Sequence, residues 1–248
     1  MDDRYSRQVL FSGIGPRGQE RLARSSVVVV GCGALGSVTS EILARAGIGR
    51  LRVIDRDFVE WSNLQRQGLY TEADARDWIP KAVAAERALR EINSEIEVTG
   101  LVEDVTAESV ERLCGDADLI LDGSDNFELR FLLNDYSVSS GKPWIYGAAL
   151  GSYGLGLVVR PGSTPCFRCI FEAPPGPGQA ETCETAGIIG PIIHVVSAFQ
   201  TAEALKLLVE APIRPGLLRV DLWSGDWRSV RIGQQRTDCP CCVQHRFD

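Results

Sequence analysis

The chain has 248 residues, 44% of them hydrophobic, which is enough for a well-buried core and excludes a disordered protein. Its net charge of −7 and the absence of any Lys/Arg run argue against nucleic acid or an anionic membrane as the main partner. The N-terminus is polar and no stretch approaches about 18 uninterrupted apolar residues, so we expect a soluble protein of the cytoplasm.

The first two thirds of the chain alternate between strand and helix patterns. Apolar runs predict strands at 26–31, 50–55, 96–102 and 118–123. Amphipathic spacing predicts helices at 34–47, 79–93 and 106–114. Strands that alternate with helices of this length predict an α/β fold of the Rossmann-like, doubly wound type, with a mostly parallel sheet.

The last third is strand-rich and irregular. The sequence predicts glycine-punctuated strands at 144–162, a Pro/Gly loop at 173–182, a long helix at 191–210 and two strands at 217–225 and 227–233. Since no stretch reads as a linker and no repeat is visible, we interpret 1–248 as one domain. Its nucleotide-binding part is 1–150, and 151–248 is the strand-rich part.

A glycine motif, "GCGALG", follows the first predicted strand and opens the first predicted helix. Gly31, Gly33 and Gly36 are spaced as in loops that let a phosphate approach the N–H groups of a helix N-terminus. Asp55 ends the second predicted strand, where a carboxylate accepts hydrogen bonds from ribose hydroxyls. Together these features predict nucleotide binding, without distinguishing NAD from ATP.

Other catalytic signatures are missing from the sequence. It contains no phosphate-binding G-x-x-x-x-G-K-[ST], no H-E-x-x-H and no G-x-S-x-G motif. Of the two histidines, His194 lies among apolar residues and is predicted to be a hydrogen-bonded core residue, whereas His245 lies in the polar tail. A dehydrogenase that relies on histidine for proton transfer is therefore disfavoured.

The eight cysteines are more plausibly metal ligands, catalytic thiols or core residues than disulfides, because the expected compartment is reducing. Two C-x2-C pairs, Cys166 with Cys169 and Cys239 with Cys242, predict a tetrahedral structural Zn²⁺ site. Such a site would staple the C-terminus to the body of the domain. Cys241 is a competing ligand.

Several motifs together resemble one family. The motifs are "RYSRQ", "GCGALG", "DRDFVEWSNLQRQ", "PKAVAA", "DGSDN", "CETAGIIGP" and the two cysteine pairs. From about Arg4 to Cys242 the chain is similar to the MoeB/ThiF family of ubiquitin-activating-like adenylyltransferases. The resemblance implies MgATP-dependent adenylation of the C-terminal Gly-Gly carboxylate of a ubiquitin-like sulfur carrier protein, with 151–248 binding the carrier.

The resemblance also implies a polar site around the triphosphate of ATP. Its members are the phosphate contacts Asn63, Arg66 and Gln67, the point charge of Lys81, the ribose ligand Asp55, the neighbouring Asp57 and the Mg²⁺ ligand Asp125. Considered singly, these residues have ordinary alternatives. Asn63 would be a turn residue, Arg66 and Lys81 solvated charges, and Asp125 the N-cap of the next helix.

Two further residues acquire roles from the resemblance. Arg7, otherwise a solvated surface charge, would reach the triphosphate of a partner subunit in the manner of an arginine finger, which implies a homodimer. Cys183 lies in the Pro/Gly-bounded loop, where it is either a thiol that acts in a relay with the carrier or a simple loop thiol. We expect the sulfur donor to be a separate protein.

The amino-acid sequences of the motifs "DRDFVEWSNLQRQ" and "GAALGSYGL" are closer to those of the thiazole-synthesis members of the family than to those of the molybdopterin members. We therefore expect a role in thiamin biosynthesis, with the molybdopterin-synthase carrier as the alternative. An NAD-dependent oxidoreductase and a non-catalytic nucleotide-binding scaffold are the alternatives from other functional classes.

Overall fold

A computed structural model describes residues 3–174, 176, 183–213 and 215–247 of the chain. The strands are β1 (Ser26–Val30), β2 (Arg50–Ile54), β3 (Glu97–Leu101), β4 (Leu119–Asp122), β5 (Trp144–Leu150), β6 (Tyr153–Val159), β7 (Leu217–Asp221) and β8 (Asp226–Val230). The α-helices are α1 (Ser6–Leu10), α2 (Gly15–Leu22), α3 (Ala34–Ala46), α4 (Glu72–Arg76), α5 (Lys81–Ile92), α6 (Val110–Cys114), α7 (Phe127–Ser140), α8 (Cys183–Ala186) and α9 (Gly190–Leu208).

The strands form one eight-stranded sheet in the order β3-β2-β1-β4-β5-β6-β7-β8. The pairings from β3 to β5 are parallel, and those from β5 to β8 are antiparallel. The predicted doubly wound α/β fold with a strand-rich C-terminal third is thereby confirmed. The strand order reverses between β1 and β4, which is where open α/β sheets leave a crevice at the carboxyl ends of their strands.

Helices cover both faces of the parallel part of the sheet. All five residues of β1 are buried, as a run of apolar side chains in a central parallel strand requires. On one face α9 lies so close to β5 that a Cβ at Gly147 would come within 2.5 Å of the Gln200 side chain. On the other face Trp144, Tyr146 and Phe167 form an aromatic cluster with ring centroids 5.0 to 6.2 Å apart.

Several predicted boundaries differ from the structure, and the strand predicted at 227–233, for example, ends at Val230. The helix predicted at 106–114 begins only at Val110. Ser109 Oγ accepts a hydrogen bond from the Thr106 N–H at 2.8 Å and donates to the Asp104 carbonyl at 3.0 Å, so a turn replaces the first part of the helix. The predicted strand at 217–225 ends at Asp221, because the following residues form the turn to β8. Among the described residues, no helix has the length and apolarity needed to cross a membrane.

The prediction for His194 is wrong. His194 lies on α9 and is exposed, whereas its neighbour Ile193 and the later Val196 and Gln200 are buried. Successive residues of an α-helix point about 100° apart, so a histidine between buried residues in sequence still faces solvent. Apolar residues lie on every side of α9 and some polar ones are buried, so the exposed side of the helix is not visible in the sequence.

Candidate nucleotide site and cysteine cluster

The loop between β1 and α3 is shaped by its glycines. Gly31 has a φ of +86°, and a Cβ at this position would lie 2.7 Å from the backbone of Gly123, which follows β4. A Cβ at Gly36 would lie 1.9 Å from the Gly31 carbonyl oxygen. At Gly33, the N-cap of α3, the nearest atom would be 3.8 Å away. The inner side of this glycine loop is therefore tightly packed, and its open side presents the first N–H groups of α3, an arrangement that suits phosphate.

Asp55, directly after β2, fixes the glycine loop. Its carboxylate oxygens accept hydrogen bonds from the N–H of Cys32 at 2.6 Å and from the N–H of Asp57 at 2.8 Å. Burial raises the pKa of the Asp55 carboxyl, while the charge of Lys81 acts in the opposite direction. Asp55 thus lies at the end of β2 and beside the glycine loop, as a ribose ligand of this fold would.

Lys81 begins α5 beside Asp57. Its Nζ lies 3.1 Å from Asp57 Oδ2, and its backbone N–H donates to the Asp57 carbonyl at 2.8 Å. The side chain of Lys81 is 10% exposed, whereas that of Asp57 is 59% exposed. Asp57 can turn into solvent when another anion arrives, so the Lys81 ammonium is a cation that a phosphate can recruit.

The polar stretch after β2 folds into a compact turn. Asn63 Oδ1 accepts the Glu60 N–H at 3.2 Å, and the Asn63 carbonyl accepts the Gln67 N–H at 3.0 Å. Gln67 is 4% exposed, and its Oε1 has no hydrogen-bond partner among the described residues. Its amide faces Gly33 across 3.8 Å, measured from Nε2 to the Cβ position. A buried carbonyl oxygen without a donor is costly, so its place beside the glycine loop fits a ligand that donates a hydrogen bond there, while Nε2 remains able to donate to an anion.

Arg66 lies at the edge of the same turn. Its Nη1 donates to the Ser62 carbonyl at 2.9 Å, so the side chain is folded back on the turn. The partly exposed guanidinium makes only this hydrogen bond with the described residues. Because a single exposed hydrogen bond is weak, Arg66 can reorient toward a phosphate at small cost.

Asp125 follows β4, close to the glycine loop. The residue is exposed, and it does not cap α7. The cap is Asn126, whose Oδ1 accepts the Leu129 N–H at 2.8 Å. The alternative interpretation of Asp125 as an N-cap is therefore wrong, and the Asp125 carboxylate is not occupied by helix capping.

Arg7 is not brought to the site by its own chain. It lies in α1, where the neighbouring Gln8 donates to the Ala46 carbonyl at 2.8 Å, at the C-terminal end of α3. The glycine loop is at the other end of this 13-residue helix, about 20 Å away. Arg7 is exposed and makes no hydrogen bond or ion pair with any residue that the structure describes.

The two cysteine pairs meet at one place. The sulfur atoms of Cys166, Cys169, Cys239 and Cys242 all lie within 4.8 Å of one another, so this cysteine cluster could hold a metal ion. Contact with the Cys241 thiol is the main cause that lowers the pKa of Cys166 to about 5. Cys241 does not belong to this group of four described ligands but lies beside it, where its sulfur accepts a hydrogen bond from Asn134 Nδ2 at 3.3 Å.

The remaining candidate, Cys183, begins α8 directly after the undescribed residues 177–182. Its side chain lies outside what the structure describes, as does most of the predicted Pro/Gly loop.

Two supports of the site gave no signal in the sequence. The Tyr70 hydroxyl donates to the Cys32 carbonyl at 2.6 Å and so holds the glycine loop from a position 38 residues away. Arg130 donates to Asp122 Oδ2 at 3.2 Å, in the turn that leads to Asp125. Both are long side chains that reach across the fold, and no spacing rule connects them to the residues they contact.

The family model described as the ThiF family matches residues 5–241. The chain belongs to the ThiF family. The resemblance seen in the sequence motifs is thereby confirmed.

Two ThiF-family relatives illustrate the range of similarity. The sulfur carrier protein ThiS adenylyltransferase of Bacillus subtilis (strain 168) is 52% identical over 248 residues, which is 100% of this chain and 73% of that protein. The sulfur carrier protein adenylyltransferase of Thermus thermophilus is 39% identical over 97% of this chain and 90% of that protein.

Among solved structures, E. coli MccB with ATP superposes with a TM-score of 0.85 at 25% identity. The match covers 98% of this chain and 75% of MccB. In this ThiF-family chain, the glycine loop, the Gln67 Nε2 beside it and Lys81 offer N–H donors and a cation, which fit the phosphates of a nucleoside triphosphate.

Proposed function

We propose that this protein uses ATP to adenylate the C-terminal Gly-Gly carboxylate of a ubiquitin-fold sulfur carrier, which then supplies sulfur for the thiazole of thiamin. The observation that carries the proposal is the meeting of the glycine loop, the Gln67 Nε2 that faces Gly33 and the nearly buried Lys81 ammonium at one edge of the sheet. Similarity to the ThiS adenylyltransferase of Bacillus subtilis supports the thiazole carrier. The molybdopterin-synthase carrier is the alternative substrate.

In this reaction a carboxylate oxygen of the carrier attacks the α-phosphorus of ATP. The new bond joins that oxygen to phosphorus, the bond to the bridging oxygen breaks, and its electron pair leaves with pyrophosphate. No proton needs to move, because the nucleophile is already an anion. Catalysis therefore depends on positioning the two anionic reactants and on stabilising the charge that develops on pyrophosphate.

We assign the nucleotide ligands to residues that lie at this edge. They are the glycine loop with Gly31, Gly33 and Gly36, the ribose ligand Asp55 with Asp57 beside it, and the phosphate ligands Asn63, Arg66, Gln67 and Lys81. Asp125 fits Mg²⁺, because its exposed carboxylate is not used as a helix cap and offers the hard oxygen ligands that this ion prefers. Bound there, Mg²⁺ would neutralise phosphate charge.

We assign the arginine finger to Arg7 of a second copy of the chain, so that the active form is a homodimer. About 20 Å separates the two ends of α3, which supports delivery from a partner rather than from the same chain. Leu10 and Phe11, next to Arg7 in sequence, are 74% and 63% exposed, which gives this segment an apolar surface for association.

We assign the cysteine cluster to structural Zn²⁺. Three of its sulfur–sulfur distances are 3.9 Å (Cys166 to Cys169), 3.6 Å (Cys166 to Cys239) and 3.5 Å (Cys169 to Cys242). Tetrahedral ligands with Zn–S bonds of about 2.3 Å would be separated by about 3.8 Å, so the residues fit the ion. Zinc here would tie the C-terminal segment to the segment after β6 that carries Cys166 and Cys169.

We propose a single adenylation domain in which 1–150 binds the nucleotide and 151–248 carries the cysteine cluster and binds the carrier. The continuous sheet that runs through both parts supports this division of labour.

We further propose that sulfur comes from a separate donor protein and that Cys183 takes part in a thiol relay. In that step the Cys183 thiolate attacks the acyl-adenylate, a thioester bond forms, and the bond to AMP breaks. Retention of sulfur transfer by Cys183→Ser would contradict the relay.

The first test is carrier-dependent exchange of labelled pyrophosphate into ATP. Thiazole-type and molybdopterin-type carriers are compared, each with an intact and a truncated Gly-Gly tail. Exchange that requires the intact tail of the thiazole-type carrier is the expected result, and exchange with only the molybdopterin-type carrier would reassign the pathway. ATP binding without exchange would favour a scaffold, and a change in nicotinamide absorbance with a small substrate would favour an oxidoreductase.

A further inference from the structure

The turn after β4 contains a buried carboxylate. Asp122, the last residue of β4, is 1% exposed. Its Oδ1 accepts hydrogen bonds from the N–H of Ser124 at 2.9 Å and from the Ser124 hydroxyl at 2.6 Å. Asp125 follows immediately, so the shape of this turn sets where the Asp125 backbone leaves the sheet.

A single guanidinium closes the turn from α7. Arg130 Nε donates to Asp122 Oδ2 at 3.2 Å, and Arg130 Nη2 donates to the Ser124 carbonyl at 2.9 Å. The guanidinium carbon lies 5.3 Å from the ring centroids of both Phe127 and Tyr146, so cation–π contacts also hold the group in place. Both ends of the turn are thus tied to one rigid fork.

The same turn lies against the glycine loop. A Cβ at Gly123 would come within 2.3 Å of the Gly31 carbonyl oxygen and 2.8 Å of the Gly36 Cα. Backbone therefore contacts backbone, without side chains that could absorb a shift. Any movement of the turn changes the distance between Asp125 and the N–H groups that receive the phosphates.

We propose that Arg130 is a positioning residue for adenylation, which sets the place of Asp125 relative to the glycine loop. The inference rests on the proposed function, because it takes Asp125 as the Mg²⁺ ligand. Mg²⁺ requires near-ideal octahedral geometry, so a displaced ligand weakens its binding. Misplacement by about 1 Å at a reacting centre costs about 100-fold in rate.

Arg130 also counteracts the effect of burial on the Asp122 carboxyl. Burial raises the pKa of Asp122, and the charge of Arg130 is the largest influence in the opposite direction. Loss of the guanidinium would leave a buried carboxyl without its ion partner, and the turn would rearrange around it. An ion pair with a purely structural role would show the same loss of stability, so the test needs a readout that stability does not move.

The experiment measures pyrophosphate exchange as a function of Mg²⁺ concentration. Arg130→Met removes the fork, and Arg130→Lys keeps the charge but cannot reach Asp122 and Ser124 together. The matched control is Arg52→Met. Arg52 likewise binds one carboxylate and one backbone carbonyl, with Asp116 at 2.6 and 2.9 Å and Leu113 at 2.6 Å, and it lies away from the turn.

We expect Arg130→Met to raise the Mg²⁺ concentration at half-maximal rate about 10-fold and to lower kcat about 100-fold, with a smaller effect in Arg130→Lys. Arg52→Met should lower the melting temperature and leave both kinetic values as in the wild type. In an Asp125→Asn background, Arg130→Met should change kcat less than about 3-fold, because coupled residues are not additive.

Each opposite result has its own meaning. A folded Arg130→Met or Arg130→Lys variant with the wild-type Mg²⁺ requirement would reduce Arg130 to a structural residue and overturn the inference. Additive effects in the double variant would do the same. An unchanged Mg²⁺ requirement in Asp125→Asn would instead refute the metal ligand, and the inference would fall with it. A wild-type protein without exchange would refute adenylation itself.

Discussion

The nucleotide end of the sheet and the cysteine cluster are two polar sites that are held together differently. At the nucleotide end, Asp55 and Tyr70 bind opposite backbone groups of Cys32, so the chain itself fixes the glycine loop. The cysteine cluster joins segments 73 residues apart through sulfur atoms at 3.5 and 3.6 Å. Thiolates at such distances repel one another unless a cation lies between them. The first site is thus formed without its ligand, whereas a metal bound at the second site would itself help to hold the fold together.

The largest expected effect tests the arginine finger that we assign to Arg7 of a partner subunit. Arg7→Ala should lower pyrophosphate exchange about 1,000-fold, because an arginine finger neutralises transition-state charge. Its stability should stay within about 0.5 kcal/mol of the wild type, since the side chain is exposed. Arg17→Ala, which removes another exposed arginine nearby, is the control and should keep full activity.

Subunit mixing sharpens this prediction. Arg7→Ala and Lys81→Ala chains, mixed in equal amounts, should recover about a quarter of the wild-type rate, because half of the dimers are mixed and each of those has one complete site. Mixed dimers that are visible by native mass spectrometry yet remain inactive would exclude delivery of Arg7 from the partner.

The next largest effect should be a loss of stability caused by a substitution in the cysteine cluster. Cys239→Ser should lower the free energy of unfolding by about 3 kcal/mol, through loss of the metal. For a chain of this size that corresponds to a fall in Tm of about 6–12 °C. Zinc analysis and calorimetry are compared with Cys114→Ser, which alters a buried cysteine outside the cluster. Near-stoichiometric zinc in Cys239→Ser would contradict the assigned ligand set.

The smallest effect should run in opposite directions for stability and binding. Gln67→Leu removes a buried oxygen that has no partner among the described residues, and we expect it to stabilise the protein by about 1 kcal/mol. ATP should bind about 10-fold more weakly, because one polar contact is lost. Asn134→Leu is the matched control. Its amide accepts the Phe167 N–H at 2.7 Å, so its loss should cost about 2 kcal/mol. A destabilised Gln67→Leu with normal ATP affinity would show that the amide serves the fold.

Local patterns predicted the elements that depend on local forces. The glycine motif identified the β1–α3 loop, because positive φ and close backbone approach admit no other residue at Gly31 and Gly36. The two cysteine pairs predicted the cluster, because metal ligation restricts both residue type and spacing.

The wrong and missing predictions concern features that depend on contacts between distant residues, or on a choice between neighbouring residues that suit the same role equally well. Asp125 and Asn126 are both good caps, and only the structure shows that Asn126 is used. Apolar and polar residues are mixed on every side of α9, which concealed the exposure of His194. Arg130 and Tyr70 act on residues that are remote or on another element, and their sequence neighbours give no indication of it.

The position of β1 between β2 and β4 has a consequence for the order in which the chain folds. β2 follows β1 closely in sequence, whereas β4, which also pairs with β1, comes much later. Ser26 at the start of β1 and Asp118 just before β4, which are joined by a hydrogen bond, are 92 residues apart in the chain. During synthesis, β1 and β2 are therefore complete well before β4 exists. Until then one edge of "SVVVV", an apolar β-forming run without proline, is open to pairing with other chains. A nascent or truncated chain that stops before residue 119 should depend on chaperones to remain free of aggregation.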